Sequence, residues 1–390
     1  MMMSCSSFVK STLFFRGLIL AILFFRPAVK LPAASLNEGE VFKEESRFSL
    51  PGALPETAAV YGGLAFVLTE DGGMACVNLE ERRMAWKVKF GAAATVKPAV
   101  NPAGEVVFDT YGTVYEVSRG GEIVSRIETG RHLAAAAKSE GRIIVRTEEG
   151  RALVFDPGSN ASPAELASGR KLTAGPLVLS GLIVFGGSDG RLAAYRPAGQ
   201  VIWTYEASAS VLDSMTAGEG ILYFATADRR FHALSAGKGK LRWRVTLSGE
   251  AVYPVSIAGK RLVLSTSASI VYCLKKRSGV MNWWRVIKSR VFDRPVVDDS
   301  LIAVSADMPG ISVLDPASGG LKSEIEIGDY VPGRCWVSAL WYSKGRLAVL
   351  AHGDCPAGPQ LIFLKNRGIG ACRIAHKMSL QLVDNTVRKD

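Results

Sequence analysis

Redox, metal and acid–base chemistry rest on cysteines, histidines and carboxylates held close together, and this chain spaces all three widely. Its cysteines are Cys5, Cys76, Cys273, Cys335, Cys355 and Cys372, with no two adjacent. Its histidines are His132, His232, His352 and His376, each isolated, so no Cys/His cluster has the spacing of a zinc site and no metal is expected. Asp71, Asp189 and Asp228 recur at turns, where a short carboxylate caps local amides, so they read as turn formers and not as an acid–base set. Gly72-Gly73 and Gly186-Gly187 read as hairpin glycines, because no helix follows whose amino terminus could receive a phosphate. There is no Gly-x-Ser-x-Gly elbow, and no catalytic residue is expected. Two features remain. Cys335 and Cys355 are expected to be bridged in an oxidising compartment. Trp336 and Trp341, lying between them, are expected to mark a partner-binding elaboration.

The elements that carry these residues repeat. Short strand-like segments close at Val77, Val117, Phe155, Tyr195, Leu234, Leu274, Leu314 and Leu364, in steps of 40, 38, 40, 39, 40, 40 and 50. Each is preceded by an apolar run, such as Leu64–Leu68, Leu182–Phe185 or Ile221–Phe224, with a Gly- or Asp-containing turn between. A period near 40 with β alternation predicts an all-β chain, an eight-bladed β-propeller of four-stranded antiparallel blades. Trp86, Trp203, Trp243 and Trp283 fall eight or nine residues beyond the closing residue of their units. That regularity predicts structural repeat tryptophans filling the wedge between blades. Cys76 and Cys273 occupy equivalent places in units one and six and are expected to be buried, reduced thiols too far apart to bridge. A ring must also be closed. Arg47-Phe-Ser-Leu50 mimics Val88-Lys-Phe90, which predicts that an N-terminal strand near 45–50 closes the last blade, with the tail around Ala371–Leu382 as a competitor.

Asp315-Pro-Ala-Ser318-Gly319, Ser278-Gly279 followed by Trp283, and Gly239-Lys-Leu-Arg-Trp243 carry a resemblance. Together they resemble the pyrroloquinoline-quinone-like (PQQ-like) repeat propellers, over about residues 41–380. Ser235 and Lys275 depart from the Asp of that pattern, and units two, three, seven and eight lack the Trp. The resemblance implies two quite different functions. Quinoprotein dehydrogenases of this family hold PQQ with calcium, use a carboxylate base and carry a disulfide between adjacent cysteines, which this chain lacks. Other members are protein-binding scaffolds, among them the propeller lipoprotein of the outer-membrane β-barrel assembly machinery. The scaffold is the leading expectation: no cofactor, no enzyme activity, envelope proteins as partners, and a monomer within a larger complex. A PQQ/calcium-dependent cofactor binder and an envelope polysaccharide binder are the alternatives.

The amino terminus gives the compartment. Lys10 and Arg16 precede the apolar run Leu18–Phe25, and small residues follow at Pro32-Ala33-Ala34-Ser35, which is the order of a secretory signal peptide. Residues 1–35 are read as that signal, cleaved near Ala34 or Ser35, and 36–390 as one propeller domain. The alternative is an uncleaved anchor in the inner membrane, although the run is shorter than the roughly 20 residues a span requires. Cys5 lies ahead of the apolar run, so no lipoprotein cysteine is available. Of the formal charge of +11, the first 35 residues supply four cations and no acid, leaving +7 for the exported part. No Lys/Arg-rich run interleaved with aromatics points to nucleic acid, and membrane contact is expected to be peripheral if it occurs at all.

Overall fold

The chain divides into two units, Met1–Leu36 and Asn37–Asp390. The computed structural model describes residues 39–50, 53–69, 71–92, 94, 97–101, 103–158, 162–167, 169–307, 310–326, 334–354 and 358–370. The proposed signal, Cys355, Cys372 and the tail around Ala371–Leu382 lie outside these residues.

The described residues form an eight-bladed β-propeller, every blade a four-stranded antiparallel sheet. Seven blades are continuous in sequence, over residues 53–89, 99–128, 133–166, 172–206, 216–246, 256–286 and 296–326. The eighth takes three strands from 334–370 and its outer strand from Gly39–Ser49, which pairs antiparallel with Gln360–Gly370. The first and last parts of the described chain are thereby woven into one sheet, and no open edge is left between blades eight and one.

The apolar runs prominent in the sequence are the second and third strands of each blade, counted outward from the axis. Leu64–Thr69 and Val106–Thr110 are buried at every position. Strands covered on both faces by neighbouring blades have no solvent side, so they read as continuous apolar runs. Four of the innermost strands, Ala99–Val100, Thr216–Gly218, Ser256–Ala258 and Val296–Val297, are short and half-buried and lack a comparable sequence signal. The core is correspondingly divided into eight apolar layers, one at each blade-to-blade contact. The layer joining blade eight to blade one holds Leu350, Leu361 and Phe363 against Ala65, Val67 and Val77, with Leu50 from the chain's entry.

Candidate functional site

The four repeat tryptophans sit on outer strands and reach into the next blade. Each indole N–H donates to a backbone carbonyl 33 residues further on: Trp86 to Arg119 (2.9 Å), Trp203 to Ala236 (2.9 Å), Trp243 to Lys276 (3.1 Å) and Trp283 to Pro316 (3.1 Å). Each ring lies over a glycine in the same turn. A Cβ built on Gly121, Gly239, Gly279 or Gly319 would come within 2.7, 2.5, 2.5 and 2.5 Å of the indole, and all four have positive φ. The turn glycine of one blade is therefore the receptor for the tryptophan of the blade before it. In blade three, Leu166 stands toward Gly199 of blade four at ordinary contact distance.

The turn aspartates are similarly committed. Asp189 accepts from the Arg170 guanidinium at 2.8 and 3.1 Å and from the Arg191 amide at 3.0 Å. Asp228 accepts from Thr226 Oγ1 and Ser208 Oγ, both at 2.5 Å, and Asp71 from Thr69 Oγ1. These bonds hold Asp71 and Asp189 below the usual carboxylate range, and for Asp228 they outweigh burial, which acts upward. Asp315 caps Ala317 and Ser318 within its turn.

His232 is fully buried between Tyr205 Oη and Thr226 Oγ1, each 3.3 Å from a ring nitrogen, and stacks on Phe224 at 4.7 Å. Burial pushes its pKa down to about 4, so it is a neutral core residue at pH 7. Cys76 and Cys273 are buried free thiols. Burial raises Cys76 to about 12 and also raises Cys273, which removes the thiolate that reactivity requires.

The polar groups not spent in this way gather over the axis. Blade-to-blade connections and the turns between second and third strands share one face of the ring, and there a cavity of about 720 Å³ is lined by parts of six blades. His352 lies in its wall, 4% exposed, with Nε2 3.4 Å from Ser338 Oγ and no hydrogen-bond partner on Nδ1. Burial lowers its pKa. Trp336 and Phe292 flank it at ring distances of 6.3 and 6.4 Å. Arg290, Asp293 and Asp307 add charge of both signs. Such a wall suits a polar, partly aromatic segment, with His352 Nδ1 offering one uncommitted polar atom.

Trp336 and Trp341 thus take different positions. Trp336 is half-exposed at this cavity, whereas Trp341 packs into the layer between blades eight and one. Cys335 is the second residue of the innermost strand of blade eight, Arg334–Ser343. Arg290 and Asp307 stand singly in connections, whereas Val291-Phe-Asp293 repeats Val211-Leu-Asp213 two blades on, with the same isolated bridge at its Val, a signal that could have found both aspartates.

Asp213, also at this cavity, is held by Arg146, buried in blade three, and by the Gly175 amide at 3.0 Å in blade four. Arg146 also donates to Gly175 O at 2.7 Å. That clamp joins two blades to the entry of a third and occupies the carboxylate. Among the described residues no three of His, Cys, Asp and Glu gather closely enough to hold a metal ion. Asp213 is engaged in this way, while Asp293 and Asp307 line the same cavity.

The family model described as outer membrane protein assembly factor BamB matches residues 110–218 and 148–253. Curated relatives include the outer membrane protein assembly factors BamB of Nitrosomonas eutropha, 27% identical over 103 residues, and of Legionella pneumophila, 24% identical over 171. The first alignment covers 26% of this chain and 25% of the relative, and the second 40% and 44%. The matched part is therefore less than half the length of either relative. Among solved structures, BamB from Moraxella catarrhalis superposes with a TM-score of 0.61 at 18% identity, covering 83% of this chain and all of that one. The computationally designed Ika8 protein gives the same TM-score at 14% identity, covering 82% and 97%. Equal likeness to a natural and a designed chain speaks for the fold alone. Together with the sequence matches, it supports a PQQ-like propeller of the BamB type.

Proposed function

We propose that this PQQ-like, BamB-type propeller is a non-enzymatic protein–protein interaction scaffold of the cell envelope, working in outer-membrane protein assembly. Residues 1–35 direct its export to the periplasm, where it acts as a monomer within a larger complex of envelope proteins and needs no cofactor. The observation that carries this reading is the match of residues 110–253 to the BamB model. It falls on blades where Trp203 and Trp243 each bond to a backbone carbonyl of the next blade and Asp189 and Asp228 are bonded within their turns. Those bonds make the ring a rigid support and leave its connections to present a broad binding face.

The test is in-cell cross-linking of the tagged protein followed by mass spectrometry, with an unrelated exported protein as control. Recovery of outer-membrane assembly components above the control is the expected result. Recovery of no envelope protein above the control overturns the scaffold reading.

A further inference from the structure

Outer strands are where a propeller meets other chains, because each has an unpaired edge along which a further strand could be added. The residues that follow the tryptophan position by one and by three lie on the same face of the strand and are exposed in blades one, two, four, five, six, seven and eight. The ladder registers make the pairs equivalent: Lys87 and Lys89, Arg126 and Glu128, Thr204 and Glu206, Arg244 and Thr246, Glu324 and Glu326, and Arg47 and Ser49 in the closing strand. Every one of these pairs is charged or polar, the usual protection of an exposed edge. Blade six places Trp284 and Val286 there, 57% and 56% exposed, opposite Tyr272 and Ile270. Val280 and Met281 extend the apolar stripe at its start, 52% and 45% exposed. Trp283 is already bound to blade seven, so Trp284 is a second, outward indole with no wedge to fill.

The same blade carries the charge. Residues 251–292 contain eight Lys and Arg and no Asp or Glu, whereas everything from residue 36 onward sums to only +7. The remainder of the exported part is therefore close to neutral. Lys275, Arg277, Arg285 and Lys288 are exposed along the turn and strand that hold the apolar stripe. Lys260, Arg261, Lys275 and Arg277 also line a cavity of about 780 Å³ at the end of the same blade, where Glu219 binds the nearly buried Lys276.

We infer that the outer edge of blade six, Met281–Val286, is a docking edge for an extended strand of a partner protein that alternates apolar and acidic residues. Side chains at every second position would cover Trp284 and Val286, carboxylates would meet the surrounding cations, and backbone groups would pair with the free edge. An anionic lipid surface would answer the charge and the indole, but it offers nothing to a row of backbone N–H and C=O groups. The inference deepens the scaffold reading and rests on it, naming the surface and the chemistry of the partner segment.

The probe is a synthetic peptide alternating valine and glutamate and long enough to span the strand, titrated against the mature protein with Trp fluorescence and calorimetry. Three comparison peptides and surfaces are used: one with lysine for glutamate, one N-methylated at alternate residues, and vesicles of phosphatidylglycerol. The protein variant is W284R/V286T, which installs the pair found in blade five and so preserves the fold. The expected result is binding of the acidic peptide, weakened at least tenfold by N-methylation, by lysine or by W284R/V286T. Equal binding by the N-methylated peptide, or binding of the vesicles without the peptide, overturns the strand edge. Cellular cross-linking with the same variant separates the two readings. Wild type and variant capturing the same envelope proteins overturns this edge and leaves the scaffold. Wild type capturing none, while the peptide binds, overturns the scaffold and leaves the edge.

Discussion

The indole of Trp283 and the turn at Gly319 act as one unit, since the ring that fills the wedge also forbids a side chain on the glycine it covers. Trp283→Ala removes a nearly buried aromatic and is expected to cost about 3–5 kcal/mol. Gly319→Ala meets both a φ of +68° and the indole, with an expected cost of about 2–4 kcal/mol. In the double variant the clash has no partner, so the second substitution should add only the backbone cost of about 1 kcal/mol, and additive losses in chemical denaturation would refute the pairing. His232 makes a second prediction at this scale. The unfolded chain protonates this ring near pH 6.5, while the folded chain keeps it neutral down to about 4. Between those values the unfolded state takes up the extra proton, so stability falls as pH falls through that window, by about 3 kcal/mol from this group. His232→Gln should flatten the decline in melting temperature between pH 6.5 and 4, and an unchanged decline would assign it elsewhere.

Strands differ in how plainly a sequence announces them, and the reason is solvent. Leu64–Thr69 lies between two neighbouring sheets, is buried throughout and is apolar from Leu64 to Leu68, so its position and length are readable. Ser256–Ala258 has three half-buried residues and no pattern to read. The closing strand Gly39–Ser49 is intermediate: Phe42 and Phe48 face inward among charged residues, and Phe48 meets Phe363 edge to face at 6.0 Å. Arg346 also binds Glu45 at 2.8 Å across this pairing. Deleting residues through Ser49 removes roughly 4 kcal/mol of apolar burial and leaves the Gln360–Gly370 edge unpaired. The melting temperature should fall by on the order of 5–10 °C, with aggregation on heating, and calorimetry showing an unchanged transition would remove this strand from the folded ring.

Over the whole molecule the distribution of charge matters more than its sum. A net charge of +7 over residues 36–390 spread evenly would give no preferred orientation, whereas residues 251–292 alone, blade six with its flanking connections, hold +8. Lys275→Glu with Arg277→Glu should therefore lower the salt needed to elute the protein from a cation exchanger more than Arg83→Glu with Arg126→Glu, although both change the net charge equally. Equal shifts would mean that the matrix sees only net charge. The ring geometry accommodates such a patch: an outer strand packs only within its own blade and against the neighbouring ones, so it can change composition without disturbing blades across the axis.

The period of 40, the apolar pairs of strands and the recurring Trp and Ser-Gly positions determined the all-β, eight-bladed architecture from sequence alone, because burial on both faces and tight turns leave marks within a few residues of each other. Similar local logic separated the turn aspartates from an acid–base set. Tertiary structure alone decided which glycine receives which indole, since the partners lie on different blades. It also divided Trp336 from Trp341: the bulge between Ala339 and Trp341 brings both to one face of the strand, opposite His352 and Ala348, and their places along it then set one at the cavity and the other in the packed layer. The cavity at His352 and the exposed edge at Trp284 have the same origin: residues far apart in sequence, or adjacent to a buried twin, acquire their roles only when the ring closes and sets what covers them.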